Sequence, residues 1–349
     1  MKNRPKILVT GGMGYIGTHT VVSLWENGYE PIIIDNFSNS SPRMIHQLNK
    51  LTRRFNTIYK IDCASKYLRR VFEKHVIEGI IHFAAFKSVN ESIDNPIKYY
   101  DNNMNALFNI VSLAREFEVA NLVFSSSCTV YGIPDVFPVN EQSLLKDSTS
   151  PYGHTKQLAE DVLYNESQDD IGLNIISLRY FNPVGAHKSG LIGENPVNTP
   201  TNLLPVLTEK VYNNECFIIN GGSYDTKDGT CVRDFIHVLD LADAHIKAID
   251  FLKSTKRLKV YENINIGTGQ GTSVFEIVTI LQSIKPNQVN YTFGPKREGD
   301  IPSIYACTKK AETLLGWKAK YTIEEAVADH WNWMSYYKMF MDDESLFRA

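Results

Sequence analysis

Tyr152 and Lys156 stand four positions apart in the segment SPYGHTK, just after a proline. On a helix this spacing puts both side chains on one face, about one turn apart. A second polar segment, the serine run at 125–127, ends an apolar stretch earlier in the chain. Such a trio suits hydride transfer at a carbinol carbon, because a base must take the hydroxyl proton when the hydride leaves.

Tyr152 is the candidate base. A free phenol has a pKa of about 10 and is a poor base at neutral pH. We expect the ammonium of Lys156, together with a positively charged hydride acceptor, to lower that pKa by roughly three units. Ser127 would hold or relay the proton on the same oxygen. Taken alone, the Tyr-x-x-x-Lys spacing is more typical of a solvated helix face, so the surrounding elements decide its meaning.

Short apolar segments alternate with helical patterns through the first half of the chain. The predicted strands cover residues 6–10, 31–35, 57–61, 79–84, 121–127 and 173–179, and the predicted helices cover 15–27, 65–75, 96–117 and 152–167. Strands that are apolar throughout and are joined by crossover helices predict an α/β fold with a doubly wound parallel Rossmann sheet. The serine run and the Tyr152 helix then meet at the carboxyl edge of that sheet.

A glycine-rich turn, TGGMGYIG (10–17), directly follows the first strand and contains Gly11, Gly14 and Gly17. Asp35 closes the second strand, 21 residues after Gly14. The glycines allow the backbone to approach a pyrophosphate at a helix N-terminus. The acid can accept hydrogen bonds from ribose hydroxyls and would repel a 2′-phosphate, so the pattern predicts NAD rather than NADP.

After residue 180 the alternation of apolar segments and helical patterns gives way to loops rich in Gly, Pro and Asn. Residues 1–180 are predicted to form the NAD-binding domain, and residues 181–349 a smaller C-terminal α/β domain that binds the substrate. VRDFIHV, the helical pattern after it and YENINIG read as strand, helix and strand, so a segment at about 230–268 is expected to return to the first sheet. Ser273 and Glu276 fit a helix capping box.

Composition narrows the class of protein. The net charge is −3 with no basic block, which argues against a nucleic-acid partner. No stretch approaches 18 apolar residues, so we expect no membrane span and a cytoplasmic protein. The five cysteines are widely separated, which predicts free thiols and no metal site.

Five longer segments resemble, in order and spacing, blocks of the UDP-glucose 4-epimerases within the extended short-chain dehydrogenase/reductase family. They are SSSCTVYG (125–132), SPYGHTK (150–156), RYFNPVGAH (179–187), DGTCVRDFIHVLDLADAH (228–245) and REGDIP (297–302). The resemblance implies an NAD-dependent isomerase of galactose metabolism that interconverts UDP-galactose and UDP-glucose. Hydride leaves sugar C4, the 4-keto sugar turns over, and hydride returns to the opposite face.

The resemblance also assigns residues to each role. It makes Tyr152 the base, Lys156 the ribose-binding partner and Ser127 the proton relay. The implied cofactor contacts, besides Tyr152, Lys156 and the three glycines, are Tyr15, Ile16, Asp35, Asn36, Phe37, Ser38, Asn39, Ser40, Asp62, Cys63, Phe83, Ala84, Ala85, Phe86, Lys87, Asn102 and Phe181. The implied substrate contacts, besides Ser127, are Asn182, Asn202, Leu203, Asn220, Arg233, Arg297, Asp300 and Ile304.

Two positions bear on the substrate. Asn220 stands where many relatives carry an aromatic residue beside the uracil, and Ile304 stands where side-chain bulk helps to select the sugar. The intermediate bulk of Ile304 favours plain hexoses over N-acetylated ones. The resemblance further implies a homodimer, for which the amphipathic segment 97–117 is a candidate interface.

Two alternatives share the same cofactor loop. A nucleotide-sugar 4,6-dehydratase would need an acidic pair before Val-Tyr-Gly, where this chain has Cys128 and Thr129. Neither side chain can act as a carboxyl acid or base at neutral pH. A non-catalytic NAD-binding sensor would normally lack the tyrosine or the lysine, whereas both are present here.

Overall fold

The computed structural model describes residues 4–169, 173–197, 200–256, 259–297 and 300–342. Its strands are β1 (Lys6–Thr10), β2 (Glu30–Asp35), β3 (Thr57–Lys60), β4 (Gly79–His82), β5 (Asn121–Ser127), β6 (Asn174–Tyr180), β7 (Asn182–Val184), β8 (Phe217–Asn220), β9 (Val232–Arg233), β10 (Phe235–His237), β11 (Tyr261–Ile266), β12 (Thr272–Ser273), β13 (Tyr291–Gly294) and β14 (Ser303–Ile304). Its α-helices are α1 (Tyr15–Glu26), α2 (Met44–Thr52), α3 (Arg69–Lys74), α4 (Val89–Asp94), α5 (Pro96–Glu116), α6 (Pro151–Ser167), α7 (Leu203–Tyr212), α8 (Val238–Ser254), α9 (Val274–Ile284), α10 (Lys309–Leu315) and α11 (Ile323–Asp342).

A seven-stranded parallel sheet forms the centre of the molecule, in the order β11-β6-β5-β4-β1-β2-β3. Its central strands are apolar on both faces, and Ile7, Leu8 and Val9 of β1 are all 0% exposed. Helices cover each face, so a continuous apolar run is buried on both sides. The strand order reverses beside β1, which is where open α/β sheets bind their ligands. The prediction of a doubly wound parallel sheet is confirmed.

The segment after residue 230 returns only in part to the seven-stranded sheet. β11 pairs in parallel with β6 and extends the main sheet, as expected. VRDFIHV, however, is not a strand of that sheet: it splits into β9 and β10, which pair with β14 and β7. The cause is Asp234 between them, whose side chain accepts hydrogen bonds from the backbone amides of Thr268, Gly269 and Ala306. These bonds turn the chain where a continuous strand was predicted.

Two smaller predictions concern the ends of elements; the first is wrong by two residues and the second is confirmed. The fourth predicted strand ends at His82, not at residue 84, because residues 83–86 leave the sheet toward the ligand edge. The capping box predicted at Ser273 is present, with Ser273 Oγ accepting from Glu276 N at 3.0 Å and the Glu276 carboxylate accepting from Ser273 N at 2.8 Å.

A separate apolar cluster lies among the elements after residue 181. It joins β7, β8 and β10 to α7, α9 and α11, with Trp331 and Trp333 contributed by α11. This cluster is consistent with a second unit for substrate binding, although the boundary at residue 180 stays a prediction. Within the described ranges, no helix combines the length and apolarity that a membrane crossing requires. The same ranges contain no cluster of His, Cys, Asp and Glu suited to a metal ion.

Candidate active site

The glycine turn between β1 and α1 forms a tight cradle. Gly11 has φ +65°, and a Cβ there would lie 2.9 Å from the Ala84 nitrogen. A Cβ on Gly17 would lie only 2.3 Å from the Gly11 carbonyl oxygen. Gly14 is the N-cap residue of α1 and provides no capping side chain, so the first N–H groups of the helix are available to an anion. The cradle therefore fits a pyrophosphate.

Asp35 holds this cradle to the loop after β2. Its carboxylate accepts hydrogen bonds from Met13 N at 2.9 Å, from Phe37 N at 2.8 Å and from Ser40 Oγ at 2.8 Å. Asn36, Ser38 and Asn39 are exposed beside it. The acid at the end of β2 thus already orders the loop that would surround an adenosine ribose, and it keeps negative charge where a 2′-phosphate would lie.

Other expected cofactor residues lie after the carboxyl ends of β3 and β4 and on α1 and α5. Asp62 accepts a hydrogen bond from Asn36 Nδ2 at 2.7 Å, and Cys63 is buried beside it. Tyr15, Ile16 and the run of Phe83, Ala84, Ala85 and Phe86 are partly exposed along the cleft. Asn102, on α5, donates to the neighbouring Asn103, which also accepts from Phe86 N at 2.8 Å. Together these positions form one row next to the glycine turn.

Tyr152, Lys156 and Ser127 converge from α6 and β5. Ser150 caps α6 by accepting from Gly153 N at 3.2 Å, and Pro151 occupies the first turn. The Lys156 ammonium nitrogen lies 5.9 Å from the centre of the Tyr152 ring and donates to the Ser125 carbonyl at 2.6 Å. A hydrogen bond with Ser127 lowers the Tyr152 pKa, opposing the effect of burial. The three side chains expected from the sequence are therefore brought together.

Burial has the largest effect on the pKa values of Tyr152 and Lys156. Burial raises the pKa of Tyr152 to about 12. Burial also lowers the pKa of Lys156 to about 7, although the nearby Glu160 carboxylate opposes that change. The predicted lowering of the Tyr152 pKa by Lys156 together with a positively charged hydride acceptor stays a prediction, since burial has the largest effect on the phenol here. Further positive charge must enter the cleft before the phenol becomes a base at neutral pH.

A buried ion pair lies beneath the trio and was missed from the sequence. Glu160, one helical turn after Lys156, accepts from Arg179 Nε at 3.0 Å and from an Arg179 terminal nitrogen at 2.6 Å. Its carboxylate also accepts from Ser126 Oγ at 2.6 Å. Arg179 reaches Tyr131 OH at 3.0 Å. This network ties α6, β5 and β6 together and so fixes the elements that carry the trio.

The expected substrate residues other than Ser127 form two groups, in β7 and in the elements that follow it. Arg233 donates to the carbonyl oxygens of Val232 at 2.9 Å and Ile301 at 2.7 Å, and a terminal nitrogen lies 3.7 Å from Asp300. The Asn220 amide faces Arg297. With its oxygen turned toward the guanidinium, Asn220 accepts two hydrogen bonds, at 2.9 and 3.0 Å. Glu298 and Gly299 of the REGDIP segment lie outside the described residues.

Other expected substrate residues frame the same side of the cleft. Asn182 opens β7, Asn202 is the N-cap residue of α7, and Leu203 is the first residue of that helix. Ile304 is only 3% exposed and packs with Phe181 in a small apolar cluster. Their roles as pocket walls stay predictions, since the side chains of Ile304 and Phe181 are both buried.

One further acid was missed from the sequence. Glu194 is 6% exposed and accepts hydrogen bonds from Lys87 Nζ at 3.1 Å and Asn202 Nδ2 at 2.6 Å. It lies in a segment rich in Gly, Pro and Asn. No motif in that segment marks this glutamate as a residue of the site.

This geometry is that of a nucleotide-binding enzyme of the Rossmann type, with a tyrosine, lysine and serine at the ligand edge. A model of the NAD dependent epimerase/dehydratase family matches residues 7–267, which is most of the chain. The protein belongs to that family. The glycine cradle, the uncapped start of α1 and the site of Asp35 all fit an NAD molecule.

Proteins similar to this chain include several UDP-glucose 4-epimerases. That of Bacillus subtilis (strain 168) is 42% identical over 331 residues, which cover 94% of this chain and 96% of that protein. That of Dictyostelium discoideum is 44% identical over 332 residues, which cover 95% of this chain and 96% of that protein.

Two solved structures share the fold over nearly the whole chain. The UDP-glucose 4-epimerase from Bifidobacterium longum, in complex with NAD+ and UDP, has a TM-score of 0.90 and 39% identity, covering 95% of this chain and 98% of that one. The enzyme from Stenotrophomonas maltophila, with bound NAD and formylated UDP-arabinopyranose, has a TM-score of 0.92 and 36% identity, covering 97% and 100%.

Proposed function

We propose that this protein is a UDP-glucose 4-epimerase that interconverts UDP-galactose and UDP-glucose. The observation that carries the proposal is the convergence of Tyr152, Lys156 and Ser127 beside a glycine cradle that fits NAD. The similarity to UDP-glucose 4-epimerases over 94% of the chain supports the choice of substrate. The protein is thus an isomerase with no net redox change.

The glycine cradle and Asp35 would hold NAD, which would supply the hydride acceptor and donor for C4 and positive charge that favours the phenolate. Tyr152 takes the proton of the C4 hydroxyl as the hydride leaves and returns it to the C4 oxygen when the turned sugar is reduced. Ser127, whose hydroxyl acts to lower the Tyr152 pKa, holds that proton during the exchange. Lys156 contributes positive charge and, when the cofactor is bound, a donor to its ribose.

The UDP-sugar side of the cleft is proposed to lie among Asn182, Asn202, Leu203, Asn220, Arg233, Arg297, Asp300 and Ile304. An arginine fork suits a diphosphate because it donates two parallel hydrogen bonds. Arg233 is pre-positioned by two carbonyl oxygens, so little ordering is needed when the diphosphate binds. The two-domain division at residue 180 is part of the same proposal.

The dehydratase alternative lacks its acid and base. Burial raises the pKa of Cys128 to about 12, which leaves the thiol protonated at neutral pH. Formation of a 4-keto-6-deoxy product from a UDP-hexose would restore that alternative.

We also propose a cytoplasmic homodimer. All five cysteines are free, as expected in a reducing compartment. On the predicted interface helix α5, Ile97 is 76% exposed and Phe108 46% exposed, while the opposite face is buried. A second copy of the chain would cover these apolar side chains. Light scattering after size exclusion tests this, because Phe108→Asp is expected to shift the mass from dimer to monomer.

The central experiment begins with denaturation of the purified protein and identification of the released nucleotide. We expect NAD, and we expect the native protein to convert UDP-galactose to UDP-glucose without added cofactor. Tyr152→Phe should lower kcat by about 10²- to 10⁴-fold, because it removes the base.

Tyr164→Phe is the matched control. Tyr164 lies on the same helix, is 51% exposed, and loses only a hydroxyl in the variant. Unchanged turnover of Tyr152→Phe would refute the assigned base. Bound NAD with no interconversion by the unmodified protein would instead favour the sensor alternative.

A further inference from the structure

Glu194 joins two parts of the cleft to which the proposed function assigns different ligands. It lies in the segment between β7 and α7. A single oxygen, Oε1, accepts from both Lys87 and Asn202. Lys87 follows β4 on the proposed cofactor side, and Asn202 precedes α7 on the proposed UDP-sugar side. One buried carboxylate therefore bridges the two sides.

The segment that carries Glu194 is firmly held. Ile192 is 0% exposed and belongs to the apolar cluster that contains Ile7 and Val9 of the central sheet. A Cβ on Gly193 would lie 2.3 Å from the Trp333 ring, so the backbone there is in close contact with α11. A side chain anchored on both sides in this way transmits displacement rather than absorbing it.

The bridge also links its two donors energetically. A buried carboxylate costs free energy unless it is paired and hydrogen-bonded. Lys87 supplies the opposite charge, although half of its side chain is exposed, and Asn202 supplies a second donor to the same oxygen. Charge-assisted hydrogen bonds of this kind are stronger than neutral ones, and losing one partner alters the other.

We infer that Glu194 is a positioning residue for the reaction. This inference rests on the proposed function. Glu194 holds the Asn202 amide in place for the UDP-sugar while it is itself held by Lys87 on the cofactor side. Ordering of the cofactor side is thereby transmitted to the substrate side. Glu194 acts through these two side chains and not on the reacting atoms.

Calorimetric titration of UDP into the NAD-containing protein tests the bridge. Glu194→Gln is expected to raise the Kd of UDP and the KM of UDP-galactose by about five- to tenfold. The kcat should stay within about twofold, because the trio lies on other elements. A Kd within twofold of the unmodified protein would overturn the inference.

Glu78→Gln is the control for loss of a carboxylate-lysine pair. Glu78 lies 2.9 Å from Lys253 at the opposite edge of the sheet. Its substitution is expected to leave the Kd, KM and kcat unchanged.

A double-mutant cycle of Lys87 and Asn202 leaves Glu194 in place. It therefore tests the bridge even if Glu194→Gln fails to fold. Lys87→Met is expected to weaken UDP binding about threefold on its own, but not further when Asn202→Ala is already present. Effects that simply multiply in the double variant would overturn the inference. Failure of the unmodified protein to epimerise would refute the proposed function separately, since the UDP titrations do not depend on turnover.

Discussion

The ammonium of Lys156 is directed to the carbonyl oxygen of Ser125, 2.6 Å away, and not to the phenol of Tyr152. The lysine side chain is only 4% exposed, and its nitrogen also lies 4.7 Å from the centre of the Phe124 ring. A cation in this position loses most of its hydration and gains one hydrogen bond to a carbonyl oxygen. The three side chains are therefore placed together, and burial disfavours both the phenolate of Tyr152 and the ammonium of Lys156.

Lys156→Met is expected to stabilise the cofactor-free protein at pH 7 by about 1–3 kcal/mol, because an incompletely compensated buried charge is removed. Burial lowers the Lys156 pKa from 10.5 to about 7, so between these values the unfolded chain binds more protons than the folded one. The free energy of unfolding of the unmodified protein then rises with pH across this window.

Urea denaturation at pH 7.0 and pH 9.5 measures this effect. The gap between Lys156→Met and the unmodified protein should narrow at the higher pH. A gap that stays constant would show that the stabilisation has another origin.

Gly17→Ala is expected to release NAD and lower the free energy of unfolding by about 1–3 kcal/mol through overpacking. The added methyl would lie 2.3 Å from the Gly11 oxygen and 2.7 Å from the Gly12 Cα, so the backbone of the cradle must move. Absorbance of the nucleotide retained after gel filtration provides the measurement. Ser23→Ala, at a partly exposed position on the same helix, should retain the cofactor. Full retention by Gly17→Ala would mean that the cradle tolerates the shift.

The sheet and the cradle could be predicted because their signals are local. An apolar run such as that around Val9, followed by glycines and a helical pattern, carries its meaning within a few residues. Asp35 was found in the same way, since its distance from the turn is typical of the motif. The prediction failed at VRDFIHV, where one acid, Asp234, bends the chain through amides more than 30 residues away.

Glu160 and Glu194 could not be found from the sequence for a related reason. Glu160 acts with Arg179, 19 residues away, and Glu194 with Lys87, 107 residues away. Neither separation is a spacing that any helix or strand imposes. The direction of the Tyr152 pKa shift depends likewise on burial by residues from elsewhere in the chain, which the i, i+4 spacing does not reveal.

Arg233→Lys is expected to raise the KM of UDP-galactose about tenfold while kcat changes by less than about threefold, since the loss concerns uniform binding. The guanidinium is held by the carbonyl oxygens of Val232 and Ile301, and a lysine cannot reproduce both bonds and a diphosphate contact. Steady-state kinetics over a range of UDP-galactose concentrations separates the two constants. A large fall in kcat at unchanged KM would place Arg233 with the reacting atoms instead.

Glu160→Gln is expected to lower the free energy of unfolding by about 3–5 kcal/mol, because it leaves a buried guanidinium without its counter-charge. Arg179 is 2% exposed and is held by both carboxylate oxygens, one of which also accepts from Ser126. Urea denaturation with NAD present measures the loss. Glu73→Gln breaks an exposed pair with Arg69 and should cost less than about 0.5 kcal/mol.

A double variant built on Glu160→Gln separates the effect of the stranded charge from the effect of lost packing. Adding Arg179→Met to Glu160→Gln removes the stranded charge and should restore part of the lost stability, since the two residues act as one unit. Activity should not return to the same extent, because the Glu160 carboxylate also raises the Lys156 pKa and its loss favours the neutral amine. A double variant that recovers no stability would show that the stranded charge of Arg179 does not cause the loss.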